Sequence, residues 1–446
     1  MGETNIEELL ARGDFLCECG KMHAAKLKKA VIKSGAILSI PEIISGYGAK
    51  KAFVLADGNT FDAAGEKVIS ALNGTGIAYK TFIMGRERIE PGEHAVGSVV
   101  LHYDATCEIL ISIGSGVIND IGKIVANIAK IPYIVVGTAP SMDGYASATS
   151  SVIRDDLKVS VDSKCPEVVI GDLDVLCESP THMILSGIGD MLAKYISICE
   201  WRISNVINGE YFCERIAGLI NTALKTCVDN AEGVLTKSPE AVKAVMEGMV
   251  LSGIAANYAG VSRPVSGMEH YFSHVWDMRA IEFKTPSDLH GIQCGIGTVD
   301  SLRVYERIKT IVPDRKKALA CVEKFNYDEW KKFLVKNLGR GADAMILNEK
   351  KERKYDKDKH AARLDLIIGH WNEILKIIDG LPSSRKIAAL LEKIGAPVKA
   401  SDIGVTREEE RNAFLMTKDI RDKYIGSRLL WDLGELDETA DEIFPL

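Results

Sequence analysis

Apolar positions along this chain fall into two textures. From about residue 45 short apolar runs alternate with helical stretches, and after Ser179-Pro180 the periodicity turns helical and stays so. In the first texture "KKAFVLAD" (50–57), "YKTFIMG" (79–85), "CEILISIGSG" (107–116) and "IPYIVVGTAPS" (131–141) read as strands. "GNTFDAAGEKVISALNGTG" and "VINDIGKIVANIAK" read as helices between them. Strand and helix at this rhythm predict βαβ units and a parallel sheet. "SSVIRD" and "KVSVDSKCPEVVIGDLDVL" carry β-branched alternation and predict a hairpin followed by a last strand. The first 40 residues read as an amphipathic entry segment. From Pro180, a residue suited to a helix entry, "THMILSGIGDMLAKYISICEWRISNV" reads as one long amphipathic helix. Further helices are expected over 212–260, 262–280, 290–311 and on to the C-terminus. The expected architecture is an N-terminal α/β domain with a parallel sheet, 1–178, and a C-terminal all-helical domain, 179–446.

The bulk numbers fit this division and narrow the function. A chain of 446 residues is too long for one compact core. A formal net charge of -7 argues against a nucleic-acid binder, while a small anionic substrate needs only a few local cations. The acidic start has no leader pattern, and no apolar run approaches the roughly 20 residues that insertion in a membrane requires. Ten scattered cysteines fit reduced thiols, so a cytoplasmic location is expected. Cys17, Cys19 and His23 in "CECGKMH" hint at a metal knuckle, but the Cys-x-Cys spacing lacks a second pair and plain thiols are the simpler reading. The charged run "NEKKERKYDKDKHAARLD" (348–365) reads as a solvated helix face.

Candidate chemistry gathers at three places. Gly114, Ser115 and Gly116 stand at a strand's end just before a helix, where backbone N–H groups and the helix N-terminus favour a pyrophosphate. The spacing is not G-x-G-x-x-G, and a tight turn alone also needs glycine. Asp57 ends another strand, where a carboxylate accepts from a ribose, and Thr138, Ser141, Asp143 and Ser147 form one polar loop after a third. In the helical half, Asp190 lies on an apolar helix, with Lys194 one turn on as an ordinary ion-pair partner. Asp190, one of His270 or His274, and His290 make a carboxylate-plus-two-imidazole set, which is what an open divalent metal site requires.

The ordered motifs "GSGVINDIGK", "TAPSMDGYAS", "GDLDVL", "GIGDMLAKY", "SGMEHYFSH" and "LHGIQCGIGT" resemble the iron-type alcohol dehydrogenase, glycerol dehydrogenase and dehydroquinate synthase superfamily. Within it the chain is similar to the sn-glycerol-1-phosphate dehydrogenase family, including its bacterial AraM-like members, whose Cys-x-Cys-Gly start "CECGKMH" also matches. The resemblance covers roughly residues 45 to 300, and "IGVTREEERNAFLMTKDIRDKY" looks like the family's tail. It implies a dehydroquinate synthase-like fold, with a nucleotide-binding N-terminal domain and a metal- and substrate-binding helical domain. It also implies NAD(H)- or NADP(H)-linked, reversible reduction of dihydroxyacetone phosphate to sn-glycerol 1-phosphate with one divalent metal, zinc or nickel.

Carried over by position, Gly116, Val117, Ile118, Asn119 and Asp120 would contact the cofactor phosphates, with Thr138, Ala139, Pro140, Ser141 and Ser147 nearby. Asp143 would meet the substrate, and Asp190, His270 and His290 would hold the metal, Asp190 also touching substrate. His274 would contact the substrate and take part in proton transfer. Lys194 and Arg263 are the cations available to screen the substrate phosphate, and Lys123 is expected either near the glycine turn's ligand or in a surface salt bridge. Asp57 tilts the cofactor toward NAD by repelling a 2′-phosphate. A homo-oligomer is expected by the same resemblance. The rival readings are a glycerol or other small-polyol dehydrogenase on the same scaffold, and a non-catalytic nucleotide-sensing protein.

Overall fold

The computed structural model describes residues 5–155 and 157–446. By packing, the chain forms two compact units: Met1–Met191 with Arg215–Val261, and Leu192–Glu214 with Ser262–Leu446.

Among its described residues the first unit has ten strands: β1 (Phe15–Leu16), β2 (Met22–His23), β3 (Lys29–Lys33), β4 (Lys51–Asp57), β5 (Ala78–Met84), β6 (Ile109–Ile113), β7 (Tyr133–Val136), β8 (Thr149–Arg154), β9 (Leu157–Asp162) and β10 (Val168–Asp172). Six of them form one sheet in the order β3-β10-β7-β6-β4-β5, and all its neighbours run parallel. β6, "ILISI", is buried at every position, as expected of a strand covered on both faces. Val54, Ile111, Ile134 and Ile170 meet in the core on one side of this sheet. β8 and β9 pair antiparallel as the expected hairpin.

One strand departs from the sequence reading. The first 40 residues are not only an entry segment: β3, "KAVIK", is the sheet's edge and pairs with β10. Its terminal lysines are exposed while Ala30 and Val31 are buried, so an edge strand gave the pattern of an amphipathic segment.

Helices of the two units include α1 (Gly116–Ala129), α2 (Thr181–Leu192), α3 (Lys194–Asn208), α4 (Glu214–Asn230), α5 (Pro239–Ala259), α6 (Met268–Phe283), α7 (His290–Ile308), α8 (Gly341–Glu352) and α9 (Lys357–Gly369). α5 follows from local rules: Ser238 caps the amide of Ala241, Pro239 takes the first turn, and Gly260 closes it in the left-handed region at φ 73°. It packs beside the sheet in the first unit, against β3 and the 3-10 turn Asp143–Ala146.

The expected long helix after Pro180 is two helices, α2 and α3, with Ala193 between them. The charged stretch 348–365 is likewise broken, between α8 and α9, where Arg353 adopts φ 53°. It is not a wholly solvated face. His360 is fully buried, with its Nε2 2.8 Å from the Asp432 carbonyl, and Tyr355 stacks on Phe325. Among the described residues no helix is long and apolar enough to cross a membrane.

Candidate functional site

In the first unit the sequence-predicted residues collect at the carboxyl edge of the sheet. The chain leaves β4 for β5 on one side and returns to β6 on the other, so strand order reverses between β4 and β6. That switch point is where open α/β sheets bind ligands. Asp57 ends β4, Gly114 to Gly116 follow β6, and Thr138 follows β7. Gly114 and the β7 end are joined by Gly114 N–H to the Val136 carbonyl at 2.9 Å and Thr138 N–H to the Gly114 carbonyl at 3.4 Å. A side chain at Gly114 would put its Cβ 2.6 Å from Ile118 Cβ, so α1 can start this close to the strand only from glycine.

The motif's members divide by accessibility. Ser115, Gly116 and Val117 are half-buried at the start of α1, and no side chain caps this helix. Its first amides and partial positive charge suit a phosphate. Ile118 is buried, and the Asn119 side chain bonds to the Gly144 carbonyl at 3.2 Å and to Tyr133 Oη at 2.9 Å. Asp120 accepts from Ser151 N–H at 3.1 Å and pairs with Lys123 at 2.8 Å. Lys123 is not a surface residue. It is 1% exposed and also donates to the Gly144 and Thr149 carbonyls and to Ser147 Oγ. The loop's conformation is held from behind, by Tyr145 Oη on the Ala139 carbonyl and Ser186 Oγ on the Ser141 carbonyl.

Asp57 caps the short helix Gly58–Thr60, accepting from Thr60 N–H at 2.8 Å. Arg86, not singled out from sequence, packs over Gly58 and pairs with Asp62, and the charge of Asp57 is among those that raise its pKa. An acid for a ribose hydroxyl and an arginine able to accept a 2′-phosphate thus stand at one strand end.

Asp190, near the end of α2, is fully buried and accepts from the backbone N–H of Asp143 at 2.9 Å. The predicted substrate contact Asp143 and the predicted ligand Asp190 are therefore neighbours within this unit.

In the second unit α6 and α7 bring three imidazoles together. Ring centroids of His270 and His290 lie 5.1 Å apart, those of His274 and His290 5.9 Å, and those of His270 and His274 6.4 Å. The glycines of "HGIQCGIGT" explain the approach: a Cβ on Gly297 would sit 2.6 Å from the Glu269 carbonyl oxygen. His274 and His290 are half-buried, whereas His270 is 5% exposed.

Each of the two predicted ligands has its Nδ1 tied down. His270 Nδ1 lies 2.8 Å from Glu269 Oε1. His290 Nδ1 lies 2.8 Å from Ser273 Oγ, whose own proton goes to Gln293 Oε1 at 2.6 Å, and Gln293 Nε2 in turn donates to Asp277 and Ser287. With Nδ1 as donor, each ring keeps its Nε2 lone pair as a metal ligand. Cys294, one turn after His290, is fully buried, and His270, His290 and Cys294 each offer a donor atom within 4.8 Å of the others. These residues fit a divalent cation: two imidazoles whose Nδ1 atoms are engaged elsewhere, and a thiol beside them.

Beneath His270, Glu269 and Glu200 are fully buried. Burial first of all, and then the charge of Glu269, pushes Glu200 up to about 8, although it accepts from Gly426 N–H and Tyr305 Oη. Burial likewise raises Glu269 to about 7, against the amide of Gly267 and the charges of Lys194 and Lys423. Lys194 itself is fully buried and donates to the Val265 carbonyl at 3.0 Å. Arg263 is 1% exposed and committed to Glu210 at 3.1 Å and to the Glu200 and Tyr424 carbonyls. Sequence reasoning missed Glu200, Glu269, Ser273, Gln293 and Cys294. For Cys294 the i,i+4 spacing from His290 was a readable signal.

A family model described as iron-containing alcohol dehydrogenase matches residues 31–180. The glycerol-1-phosphate dehydrogenase of Halalkalibacterium halodurans, named as using NAD(P)+, is 28% identical over 94% of this chain and 95% of its own length. The Methanosarcina mazei protein of the same name is 32% identical over 56% of this chain and 68% of its own. The crystal structure of glycerol dehydrogenase from Schizosaccharomyces pombe superposes with a TM-score of 0.60 at 16% identity, covering 94% of this chain and 90% of that one, a likeness of fold. At 32% identity to a relative covered over 68% of its length, the chain belongs to the glycerol-1-phosphate dehydrogenase family.

Proposed function

We propose that this protein catalyses the reversible NAD(P)H-linked reduction of dihydroxyacetone phosphate to sn-glycerol 1-phosphate, using one divalent metal held by Asp190, His270 and His290. The observation that carries the reading is the paired preparation of His270 and His290, each with Nδ1 bonded to a buried partner. The match to relatives of that name over nearly the whole chain supports the substrate. A carboxylate with two imidazoles accepts either zinc or nickel.

When bound, the metal supplies Lewis acidity at the ketone oxygen and the reduced nicotinamide supplies the hydride. The rest is done by side chains. Ser115, Gly116 and Val117 present the start of α1 to the cofactor pyrophosphate, while Asp57 and Arg86 set the choice between ribose 2′-hydroxyl and 2′-phosphate. Thr138, Ala139, Pro140, Ser141 and Ser147 keep the loop beside the cofactor in shape, and Ile118, Asn119 and Asp120 anchor α1 behind it. His274, half-buried and stacked on His290 at an interplanar angle of 20°, would hold the proton destined for the substrate's carbonyl oxygen. Asp143 orients the substrate hydroxyls. Lys194 acts through the loop it supports and through its charge beside Glu269. The sheet region, 1–178, is read as the dinucleotide domain and 179–446 as the metal and substrate domain, in a cytoplasmic homo-oligomer.

Chiral analysis of the product formed from dihydroxyacetone phosphate, with NADH or NADPH and with or without chelator, tests this. Metal-dependent formation of the sn-1 enantiomer is expected. Equal rates on dihydroxyacetone would return the reading to a polyol dehydrogenase, and full activity after metal removal would sink it.

A further inference from the structure

A second cluster of metal-binding side chains lies in the first unit, apart from the residues assigned to catalysis. Ligand atoms of Cys17, Cys19 and His23 lie within 4.8 Å of one another. They are carried by a very small hairpin, in which β1 and β2 pair two residues each, Phe15 with His23 and Leu16 with Met22. The turn between them is closed by Cys17 N–H to the Lys21 carbonyl and Gly20 N–H to the Cys17 carbonyl, both at 2.9 Å, with Gly20 at φ 84°. That turn puts Cys17 and Cys19 on the same side as His23. His23 is fully buried and Cys17 is 7% exposed.

Three observations favour a metal over a chance grouping. First, His23 Nδ1 lies 3.0 Å from the Tyr258 carbonyl oxygen, so Nδ1 carries the proton and Nε2 keeps its lone pair. Second, Nε2 lies 3.4 Å from Cys19 Sγ. A tetrahedral zinc with Zn–S of about 2.3 Å and Zn–N of about 2.0–2.1 Å separates those two donors by roughly 3.5 Å. Third, a hairpin with two residues per strand has too few ladder bonds to hold its own shape in water. It nevertheless places a fully buried histidine, with Phe15 edge-on to His23 at 5.4 Å and to Tyr258 at 5.6 Å.

We propose that this cluster is a structural zinc site that fastens the N-terminal hairpin to the end of α5. Cys17, Cys19 and His23 are three of its ligands. Two thiolates and one imidazole, two of these three residues buried, suit a structural zinc, which adds to folding and performs no chemistry.

Zinc content of the purified full-length chain, measured by mass spectrometry beside circular dichroism, tests the site. A Cys17→Ser/Cys19→Ser variant is expected to lose one zinc equivalent per chain relative to its parent and to unfold at lower temperature, while His270→Ala keeps that equivalent. A folded double variant with the parent's zinc content overturns the proposal. Should the double variant fail to fold, zinc K-edge absorption of a Cys294→Ser chain decides, because the histidine cluster then has no thiol. A sulfur shell near about 2.3 Å supports the site, and a nitrogen- and oxygen-only shell overturns it.

Discussion

Ser273 governs the tautomer of His290. Its hydroxyl lies 2.8 Å from His290 Nδ1 and gives its own proton to Gln293 Oε1 at 2.6 Å, so it can only accept from the ring. That leaves His290 Nε2 as the lone-pair atom. A Ser273→Ala variant removes the acceptor without adding bulk. Metal affinity is expected to fall about 10–100-fold, the usual effect of losing a partner behind a ligating histidine. Competition with a fluorescent chelator reads this directly, and unchanged affinity would show that the relay does not orient the ring.

The two histidines of "SGMEHYFSH" are expected to separate by function. His270, 5% exposed with Nδ1 on Glu269, is read as the ligand; His274, half-buried and stacked on His290, is read as the substrate and proton residue. His270→Ala should lose both metal and turnover. His274→Ala should keep its metal and lose turnover by about 10²–10⁴-fold, the range of general acid–base assistance. If both variants lose metal to the same extent, the division of labour is wrong.

How much of this was legible beforehand depends on how far apart the partners are in the chain. β6 and β7 are buried at every position, and such runs bounded by glycine announce a parallel strand from composition alone. β3 hid because its end positions are lysines, as an edge strand allows. Asp190, His290 and one of His270 or His274 were readable as a ligand set from residue type, and the ordered motifs chose His270. Their supports were not, because a buried glutamate such as Glu200 looks like any surface acid until Gly426 and Tyr305, more than 100 residues away, are seen to bond it. Lys123 stayed open between the glycine turn's ligand and a surface salt bridge for the same reason: the carbonyls of Gly144 and Thr149 that bury it come from another loop.

Gly297 sets the spacing between α6 and α7. Alanine normally gains about 1 kcal/mol over glycine inside a helix. Here its Cβ would lie 2.6 Å from the Glu269 carbonyl oxygen, a backbone atom that cannot swing aside. Overpacking of this kind costs about 1–3 kcal/mol, so the clash outweighs the propensity gain. Gly297→Ala is expected to lower stability to denaturant and to weaken metal binding, since Glu269 is joined to His270. A stabilised variant with native metal affinity would show that the two helices have slack.

Lys354 makes stability depend on pH in the alkaline range. Burial, aided by the charges of Arg428 and Lys418 and opposed by Asp419 and Asp422, lowers it from the ordinary lysine value to about 8, while its ammonium still donates to the Lys418 and Arg421 carbonyls. The unfolded chain keeps this lysine charged up to its ordinary value of 10.5. Between about 8 and 10.5 the unfolded state therefore binds more protons than the folded one. Stability from this group rises with pH across that window and is lost as pH falls through the folded value. Below it the full cost of the buried charge is present. Denaturant unfolding of the native chain and a Lys354→Met variant, each measured from pH 7 to pH 10.5, isolates the contribution. The difference should climb by at most about 1.4 kcal/mol per pH unit in favour of the native chain. A flat difference would mean that Lys354 keeps its proton in the fold.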